Sequence, residues 1–574
     1  MTAILDTCIS TVHPCETVDM LFTRADPTPM RGYSVSFHLS PELMLCGTPT
    51  ASILAGPYLA SGSGANGTVY QVVDNGGGSY TVDEAILGTP CGATGSGVLF
   101  RVRVTNSGAN GTGTLFVDSV TVRDCFNAPL PGTPGAPGTV EIDNTVPAAI
   151  ADLVATQLRN GNDTDGTTKI QLTFSPPADA AAVEIYRAGF GQYPEYDDNG
   201  GAEPALPSYP PGPPWSFAGN FTSGQYDEIA TRDFLYFVAF VVDSCGNVGA
   251  VSNKTTGTLN YHLGDVSTGL VNCAGDNDVF TEDISLLGAH YAITLAANDT
   301  WNCLDVGPTT TNYIEGRPLT DNRVQFEDLI LFAINFDEVS KSIVTPVPAT
   351  SDQIAVLVPE GSGDEILARI WVRGTGQVQG LSVQLAWNPA VVEPWGGIET
   401  GDLLLDQGGV AFQAAPGGVD AALLGIRDLG LAGEGLLATV RFRVLGEGDP
   451  AITVATVDAR NARNERLDLQ PVAPADLTQA APRVTQLLPN VPNPFNPTTR
   501  IPFTLSASGP VDLAVYTVDG RRLRTLVAGE REPGLYDAIW NGTDERGDRV
   551  SSGVYYVRLV MRDLTLSRPV VLLK

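Results

Sequence analysis

Apolar and polar residues alternate with a period of two in many short runs along the chain. Residues 98–104 read Val-Leu-Phe-Arg-Val-Arg-Val, and residues 511–516 read Val-Asp-Leu-Ala-Val-Tyr. This period is typical of β-strands that bury one face. Glycine, proline, asparagine and aspartate interrupt the runs, as they do at turns. The pattern predicts a mostly β protein that consists of tandem β-sandwich modules of the jelly-roll or Ig-like type.

Length, charge and composition narrow the class of protein. The chain has 574 residues, which at roughly 150 residues per domain predicts about four domains, or more if they are small. Its net charge of −31 repels phosphate groups, so nucleic acid is not an expected partner. It contains 4 histidines, few for a zinc site or a set of general bases, and no apolar window of about 18 residues. We therefore expect no transmembrane segment and no enzymatic activity.

One sandwich pattern occurs twice in the chain. Residues 31–37, Arg-Gly-Tyr-Ser-Val-Ser-Phe, correspond in pattern to residues 379–385, Gln-Gly-Leu-Ser-Val-Gln-Leu. Residues 95–104 correspond in the same way to residues 433–444, where a Gly-x-Gly is followed by an alternating strand. Two copies of one module are therefore predicted, one near each end of the chain.

The order of these segments resembles the cohesin family of jelly-roll sandwiches. The second copy carries most of the resemblance, in Trp387-Asn388-Pro389-Ala390, in Gly433-Glu434-Gly435 and in the strand at 439–444. The first copy is more diverged and contains cysteines that the second lacks. The resemblance implies a protein-binding module, because dockerin helices dock on a sheet face of cohesins.

Residues 145–258 resemble a fibronectin type III module. The strand patterns at 169–177 and 183–187 fit the first strands of that family, and residues 237–248 fit its penultimate strand and turn. The proline-rich run from Pro204 to Pro214 is expected to be a long surface loop.

A second repeat, rich in aspartate, lies between the sandwiches. Residues 276–284, Asp-Asn-Asp-Val-Phe-Thr-Glu-Asp-Ile, match residues 321–329, Asp-Asn-Arg-Val-Gln-Phe-Glu-Asp-Leu. An Asp-Val pair precedes each segment, and an apolar stretch of helical type follows, at 285–291 and 330–336. Each unit is therefore an acidic loop that leads into a helix, and residues 261–340 are predicted to form a small helical module.

Closely spaced aspartates in such loops provide the oxygen ligands that Ca²⁺ prefers. The pattern resembles the dockerin family, in which two Ca²⁺ loops each lead into a helix. The resemblance implies side-chain ligands at Asp265, Asp276 and Asp283 in the first loop and at Asp305, Asp321 and Asp328 in the second, with Asp278 and Arg323 where the family uses a backbone carbonyl. One or two bound Ca²⁺ ions are expected.

Both loops are longer than the dockerin pattern. The first and fifth ligand positions are four residues apart in that family, whereas Asp265 and Asp276, and likewise Asp305 and Asp321, are much further apart. The third ligand must then come from an insertion, with Asn272 as the candidate in the first loop and none assigned in the second. Two alternatives remain: Ca²⁺ at one or both loops, or a helix pair that is held by other means.

Most of the 8 cysteines are expected to form disulfides, because no Cys-x-x-Cys pair of metal-binding spacing occurs. Five lie in the first module: Cys8, Cys15, Cys46, Cys91 and Cys125. An odd number leaves one of them free or paired with Cys245. Cys273 and Cys303 each lie beside one acidic loop, and a disulfide between them would join the two insertions.

Residues 485–574 resemble the C-terminal type A sorting domain of type IX secretion, an Ig-like sandwich related to the flagellar hook-cap fold. The resemblance includes Asn493-Pro494-Phe495-Asn496-Pro497, Trp540-Asn541-Gly542 and the strand at 553–559. Residues 1–15 show neither the basic nor the apolar region of a secretory signal, so the protein is cytosolic or the sequence begins after a leader. Because the resemblance implies export, we expect a secreted or cell-surface protein.

Five modules are thus expected: cohesin-like at 1–140, fibronectin type III-like at 145–258, dockerin-like at 261–340, cohesin-like at 352–475 and the sorting domain at 485–574. This combination indicates a non-catalytic scaffold or adhesion protein whose partners are other proteins or further copies of itself. Cohesin-like and dockerin-like modules of one chain can bind each other internally or between neighbours. The alternative is a carbohydrate-binding or polysaccharide-degradation accessory protein, which requires a planar array of exposed aromatic rings; the candidates are Trp215, Trp371, Trp387 and Trp395.

Overall fold

The computed structural model has the expected fold class, a series of β-sandwiches with one small helical module. It describes residues 2–4, 8–64, 67–89, 92–196, 201–337, 349, 351–358, 364–426, 430–473, 485–531, 534–562 and 564–573. Within these ranges, no helix has the length and apolar character that crossing a membrane requires.

The first sandwich packs two antiparallel sheets around an aromatic core. One sheet has the order β1-β2-β8-β4, with β5 beside β8, and the other has the order β10-β9-β3-β7-β6, with β11 beside β9. Alternate residues of each strand point inward, and Phe37 and Phe100 are both 0% exposed. The elements are β1 (Thr2–Ile4), β2 (Glu16–Phe22), β3 (Met30–Leu39), β4 (Leu43–Leu45), α1 (Pro49–Ser52), β5 (Ile53–Ala55), α2 (Pro57–Gly62), β6 (Thr68–Gly76), β7 (Ser79–Ile86), β8 (Gly97–Asn106), β9 (Gly111–Asp124), β10 (Pro129–Leu130) and β11 (Gly138–Ile142).

The second sandwich contains a strand that is buried on both faces. Its sheets have the orders β12-β13-β16 and β15-β14-β17-β18. On β17, Phe237 and its alternate neighbours pack in the sandwich core, whereas Tyr236 and its alternate neighbours pack in a core shared with the helical module. The strands are β12 (Val154–Gln157), β13 (Ile170–Thr173), β14 (Ala180–Gly189), β15 (Ser216–Asn220), β16 (Tyr226–Asp227), β17 (Phe234–Asp243) and β18 (Thr258–Leu259).

The helical module contains α3 (Thr281–Ala289), a short 3-10 turn (Asn302–Leu304) and α4 (Phe326–Asn335). Both helices begin four residues before the apolar stretches from which they were predicted. The reason is that the carboxylates of Asp283 and Asp328, in the first helical turns, accept the N–H groups of the residues that precede each helix, both at 2.8 Å. The ends of the acidic loops therefore form the first turns of the helices.

The third sandwich repeats the architecture of the first. Its sheets have the orders β22-β25-β20-β19-β28 and β23-β24-β21-β26-β27, and the central strands β24-β21-β26 of the latter correspond to β7-β3-β9. The elements are β19 (Gln353–Leu357), β20 (Glu365–Val378), β21 (Gly380–Ala386), β22 (Val392–Thr400), α5 (Asp402–Leu405), β23 (Gly409–Phe412), β24 (Gly418–Leu423), β25 (Leu431–Val444), β26 (Thr453–Arg460), β27 (Arg466–Leu467) and β28 (Gln470–Pro471).

The fourth sandwich has sheets of the orders β29-β30-β33 and β32-β31-β34-β35. Trp540 is 0% exposed at its centre, with its ring centroid 5.3 Å from that of Phe495. The strands are β29 (Gln486–Leu487), β30 (Thr499–Leu505), β31 (Gly509–Tyr516), β32 (Arg522–Arg531), β33 (Gly534–Trp540), β34 (Gly553–Met561) and β35 (Leu564–Leu572).

Covalent and ionic links join the modules. Cys245 pairs with Cys8 of the first sandwich, so the odd cysteine is used between modules and none of the described cysteines is free. The predicted Cys273–Cys303 disulfide is confirmed, Cys15 pairs with Cys46, and Cys125 is also disulfide-bonded, while Cys91 lies outside the described residues. Arg369 of the third sandwich pairs with Asp537 of the fourth at 2.7 Å.

Candidate metal centre and docking face

Loop one, residues 265–283, is organised around two buried aspartates. Asp265 is 0% exposed, and its carboxylate oxygens accept the backbone N–H groups of Asp276 and Asn277 at 2.9 and 3.0 Å. Asp283 is equally buried, and its Oδ1 accepts the N–H groups of the two residues that follow Asp265, each at 2.8 Å. The two carboxylates therefore close the insertion into a defined loop at the start of α3.

Loop two, residues 305–328, repeats this arrangement. Asp305 accepts the N–H groups of Asp321 at 3.4 Å and of Asn322 at 2.7 Å. Asp328 accepts the N–H groups of the two residues after Asp305, at 2.8 and 2.9 Å. Asn277 and Asn322 occupy matching positions with φ of 73° and 62°, a conformation that asparagine tolerates. The internal repeat is thus a repeat of hydrogen bonds as well as of sequence.

Burial governs the protonation of these carboxyl groups. It raises the pKa of Asp265 to about 6, an effect that the nearby Arg232 opposes, and it raises the pKa of Asp283 to about 7. Burial also raises the pKa of Asp328 well above its usual range, and the negative charge of Asp305 adds to the shift. Each loop therefore contains buried carboxyl groups whose ionised form a nearby cation would stabilise.

The remaining predicted site residues lie nearer the surface. The Asp276 side chain is half-buried, whereas those of Asp278, Asp321 and Arg323 are exposed. Among the described residues, neither aspartate triad brings three carboxylate oxygens within 4.8 Å of one another. Within the described ranges, the group that meets this distance is Cys8, Glu141 and Cys245, and the two cysteine sulfurs of that group form a disulfide.

We tested whether the residues of each loop fit a Ca²⁺ ion by the chemistry of their donors. In loop two, the buried pair Asp305 and Asp328 and the nearby Asp321 offer carboxylate oxygens, which are the ligands of a hard cation. In loop one, the backbone N–H of Ser267 contacts the buried carboxylate of Asp283. Asn272, the candidate for the third ligand, is exposed instead. There, however, Asp265 is already paired with an arginine. Loop two fits a metal ion, and loop one does not.

The helical module docks on the third sandwich of the same chain. Helix α4 lies across β21 and β24, and the backbone N–H of Gly425 donates to the carbonyl of Ala333 at 2.8 Å. A Cβ placed on Gly380 would come within 2.8 Å of Ile330 Cδ1, so the close approach of helix and sheet depends on this glycine. We call the residues under the helices, Gly380, Ser382, Phe412, Asp420 and Ala422, the docking face.

A buried polar contact lies within this apolar interface. The Tyr291 hydroxyl donates to Asp420 Oδ2 at 2.8 Å, and its ring centroid is 4.9 Å from that of Phe412. Asp420 is 1% exposed, and burial raises its pKa to about 6, a shift that the hydrogen bonds of Ser382 and Tyr291 oppose. Docking therefore includes the desolvation of one carboxyl group.

Sequence reasoning did not find the docking face, although β24 carried a signal. All six of its residues, Gly-Val-Asp-Ala-Ala-Leu, are buried, because the sandwich core covers one side and the helical module the other. A strand with mostly apolar and small residues on both faces is typical of burial on both sides. The partner of Asp265, Arg232, gave no local signal at all, since it lies in a different module.

The first sandwich presents a matching face at the equivalent strand positions. The strand register pairs Gly380 with Ala422 and Ser382 with Asp420 in the third sandwich, and Gly32 with Ala85 and Ser34 with Asp83 in the first. At the neighbouring edge strand, Val69 stands where the third sandwich has Val410. Val69 is 52% exposed and Ala85 is exposed, so this matching face is open.

The tryptophans considered for carbohydrate binding do not form an exposed array. Trp215 and Trp371 are 5% and 6% exposed, and Trp387 packs edge-on against Phe442. Trp395 is exposed, but the guanidinium of Arg443 lies 4.7 Å from its ring centroid. The carbohydrate alternative therefore gains no support from these residues.

Fold and site together define a β-sandwich protein of several modules, in which a helical module docks on the third sandwich. A family model described as the FlgD Ig-like domain matches residues 493–563, in the fourth sandwich. No curated protein matches the chain.

Several solved structures are similar to part of the chain. They include a non-cellulosomal cohesin of Archaeoglobus fulgidus, with 17% identity over 25% of this chain and 89% of that one and a TM-score of 0.19. The seventh ScaB type I cohesin of Pseudobacteroides cellulosolvens has 15% identity, covers 25% and 94%, and has a TM-score of 0.20. The sixth cohesin of Acetivibrio cellulolyticus scaffoldin B, solved in complex with a Cel5 dockerin mutant, has 12% identity, covers 25% and 96%, and has a TM-score of 0.19.

Proposed function

We propose that this chain is a non-catalytic extracellular scaffold that assembles through its two equivalent sandwich faces. The observation that carries the proposal is that one face is occupied by the helical module, whereas the matching face of the first sandwich is open and has the same residue types at its glycine, serine, aspartate and alanine positions, with Gln71 in place of Phe412. A surface that is conserved in pattern between two internal copies, and that is covered in one of them, indicates the kind of partner that the other accepts.

The partner of the open face is the helical module of a second copy of this chain. This module offers the small residue Gly288 on α3, the apolar Ile330 on α4 and, just after α3, the hydroxyl of Tyr291, which together match a face that contains glycine, alanine and one aspartate. Docking within a chain competes with docking between chains, because a tethered partner has a high effective concentration. Assembly therefore increases when the internal contact is weakened, and head-to-tail contacts of this kind extend into a filament.

The proposal is tested by releasing the helical module from the third sandwich. Ala422 is 1% exposed beneath the helices, so Ala422→Arg prevents internal docking and frees the module. Sedimentation velocity of this full-length variant is expected to show oligomers that increase with protein concentration. Adding Ala85→Arg, the equivalent substitution on the open face, is expected to return the protein to a monomer.

Two comparisons make the sedimentation experiment specific. Thr17→Arg changes an exposed position on the other sheet of the first sandwich and serves as the control for added charge, so the Ala422→Arg/Thr17→Arg double variant should still associate. Circular dichroism establishes that each variant retains its strands. A monomeric Ala422→Arg variant at every concentration, or association that survives Ala85→Arg, would count against the proposal.

We also propose that loop two binds Ca²⁺ and that the ion stabilises the helical module. The buried carboxylates of Asp305 and Asp328 support this assignment, because a divalent cation neutralises their charge. Ca²⁺ added to chelator-treated protein should therefore raise its melting temperature, as a ligand of the native state does. Unchanged melting would contradict the metal assignment and leave the docking proposal untouched.

We further propose that the protein is secreted and that the fourth sandwich is its sorting domain. Disulfides form and persist in oxidising compartments. Among the described residues they lie within the first sandwich, between modules and within the helical module, and Cys125 is also disulfide-bonded. The Ig-like fourth sandwich supports its assignment to export. Deleting residues 485–574 in a host with type IX secretion should retain the protein inside the cell, whereas normal export of the truncated chain would refute this role.

A further inference from the structure

Arg232 of the second sandwich reaches into loop one and pairs with its first aspartate. Its Nη2 donates to Asp265 Oδ2 at 2.6 Å, and its Nη1 donates to the backbone carbonyl of the same residue at 2.5 Å. Its Nε donates to the carbonyl of Gly166 at 2.8 Å. Its Nη1 also donates to the Tyr193 hydroxyl at 3.3 Å, so the guanidinium bridges the second sandwich and the acidic loop through four hydrogen bonds.

The guanidinium is held in place by its surroundings. The Arg232 side chain is 10% exposed, and its guanidinium carbon lies 5.1 and 5.9 Å from the ring centroids of Tyr261 and Tyr193, within range of cation–π attraction. A Cβ on Gly275 would lie 1.6 Å from Nη2, so the loop backbone passes directly over the charged group, and only glycine leaves room for it. Such a buried, paired arginine is a permanent part of the fold.

The carboxylate of Asp265 keeps only about one of its roughly four lone-pair directions free, and its charge is already paired. It accepts two backbone N–H groups and the guanidinium, and the guanidinium neutralises its charge. A Ca²⁺ ion would have to displace a hydrogen-bonded, desolvated arginine whose positive charge would then face a second cation. Removing one partner of a buried pair is costly, so displacement is unfavourable.

We propose that Arg232 takes the place of the metal ion in loop one, so that the acidic repeat binds a single Ca²⁺, in loop two, and is attached to the second sandwich by the arginine. The count of one ion rests on the proposed function of loop two. The effect of the arginine does not rest on that function, because it is measured as the difference in bound Ca²⁺ between the wild type and the arginine variant.

The test counts the Ca²⁺ ions bound by the full-length protein. Chelator-treated chain is dialysed against excess Ca²⁺, and bound metal per chain is measured by elemental analysis and by calorimetric titration. We expect one ion in the wild type and two in Arg232→Met, which keeps most of the side-chain volume but removes the charge. A wild-type count of two, or the same count in both proteins, overturns the inference.

Arg159→Met is the matched control. Arg159 also joins the second sandwich to the helical module, through Asn335, but it contacts no loop aspartate, so its replacement should leave the count at one. If Arg232→Met does not fold, Asp265→Asn provides a second measurement. The wild-type count should survive this substitution, and a loss of one ion would overturn the inference. A count of zero in the wild type and one in Arg232→Met would remove the loop-two assignment and support the role of the arginine.

Discussion

Replacement of Asp420 by asparagine should remove a pH dependence from the docking of the helical module. In the docked state this carboxyl group is buried, which raises its pKa to about 6 from the ordinary value of 3.8 that it has when solvated. The docked state therefore holds its proton more tightly than the undocked state. Docking is most stable below the lower of these pKa values, and it weakens as pH rises towards the higher one.

The size of the effect follows from this difference. A rise of about two pKa units corresponds to about 3 kcal/mol against docking at neutral pH. About 2 kcal/mol of this loss of docking stability develops between pH 4.5 and pH 7.5, and it corresponds to about a 30-fold change in the docking equilibrium. Asparagine has the same shape and keeps an oxygen for the Tyr291 hydroxyl, but it does not ionise. The advantage of the variant in docking stability should therefore be about 3 kcal/mol at pH 7.5 and should fall to about 1 kcal/mol at pH 4.5.

Hydrogen exchange of the amides in α4 measures this local equilibrium. The ratio of protection between variant and wild type at the same pH cancels the intrinsic pH dependence of exchange, and it should rise about 30-fold from pH 4.5 to 7.5. Asp83→Asn, the equivalent change on the open face, should leave protection in α4 unaltered. A ratio that is the same at both pH values would refute the reasoning that Asp420 titrates on docking.

Two further predictions concern contacts within and between modules. Ile330 of α4 is 1% exposed and packs against Gly380 of the third sandwich, so Ile330→Ala should destabilise docking by about 2–5 kcal/mol and lower the protection of the α4 amides. Unchanged protection would mean that the helix is held by other contacts. The double substitution Cys8→Ser/Cys245→Ser removes a cross-link that spans 237 residues, and it should lower the free energy of unfolding by about 2–5 kcal/mol. The loss is measured as a lower melting temperature of the first sandwich. An unchanged melting curve would show that non-covalent contacts suffice.

The sequence predicted the fold class, a series of β-sandwiches, because its signals are local. Alternating strands, the repeated Gly-x-Ser-x strand pattern of β3 and β21, and the two acidic units before helices each depend on residues near one another in the chain. The helix starts were missed because Asp283 and Asp328 were assigned wholly to metal loops. In the structure their carboxylates also cap the helices through backbone N–H groups.

Contacts between modules could not be predicted in the same way. Tyr291 and Asp420 are 129 residues apart, and Arg232 and Asp265 are 33 apart in different modules, so neither pair has a sequence period that reveals it. Strand β17 did carry a clue, since its residues are apolar on both sides. Such a strand requires a second partner, but its sequence does not specify which one.

The Cys8–Cys245 disulfide also determines how the molecule responds to mechanical load. Tension that enters the chain before Cys8 and leaves it after Cys245 passes through the covalent bond and bypasses the 237-residue segment that it closes. About 800 Å of extended chain is thereby withheld from stretching. Under such a load the strands from β2 to β17 carry no tension. The strain falls on β1 and β18, which lie outside the closed segment, on the docked helices and on the sandwiches that follow them.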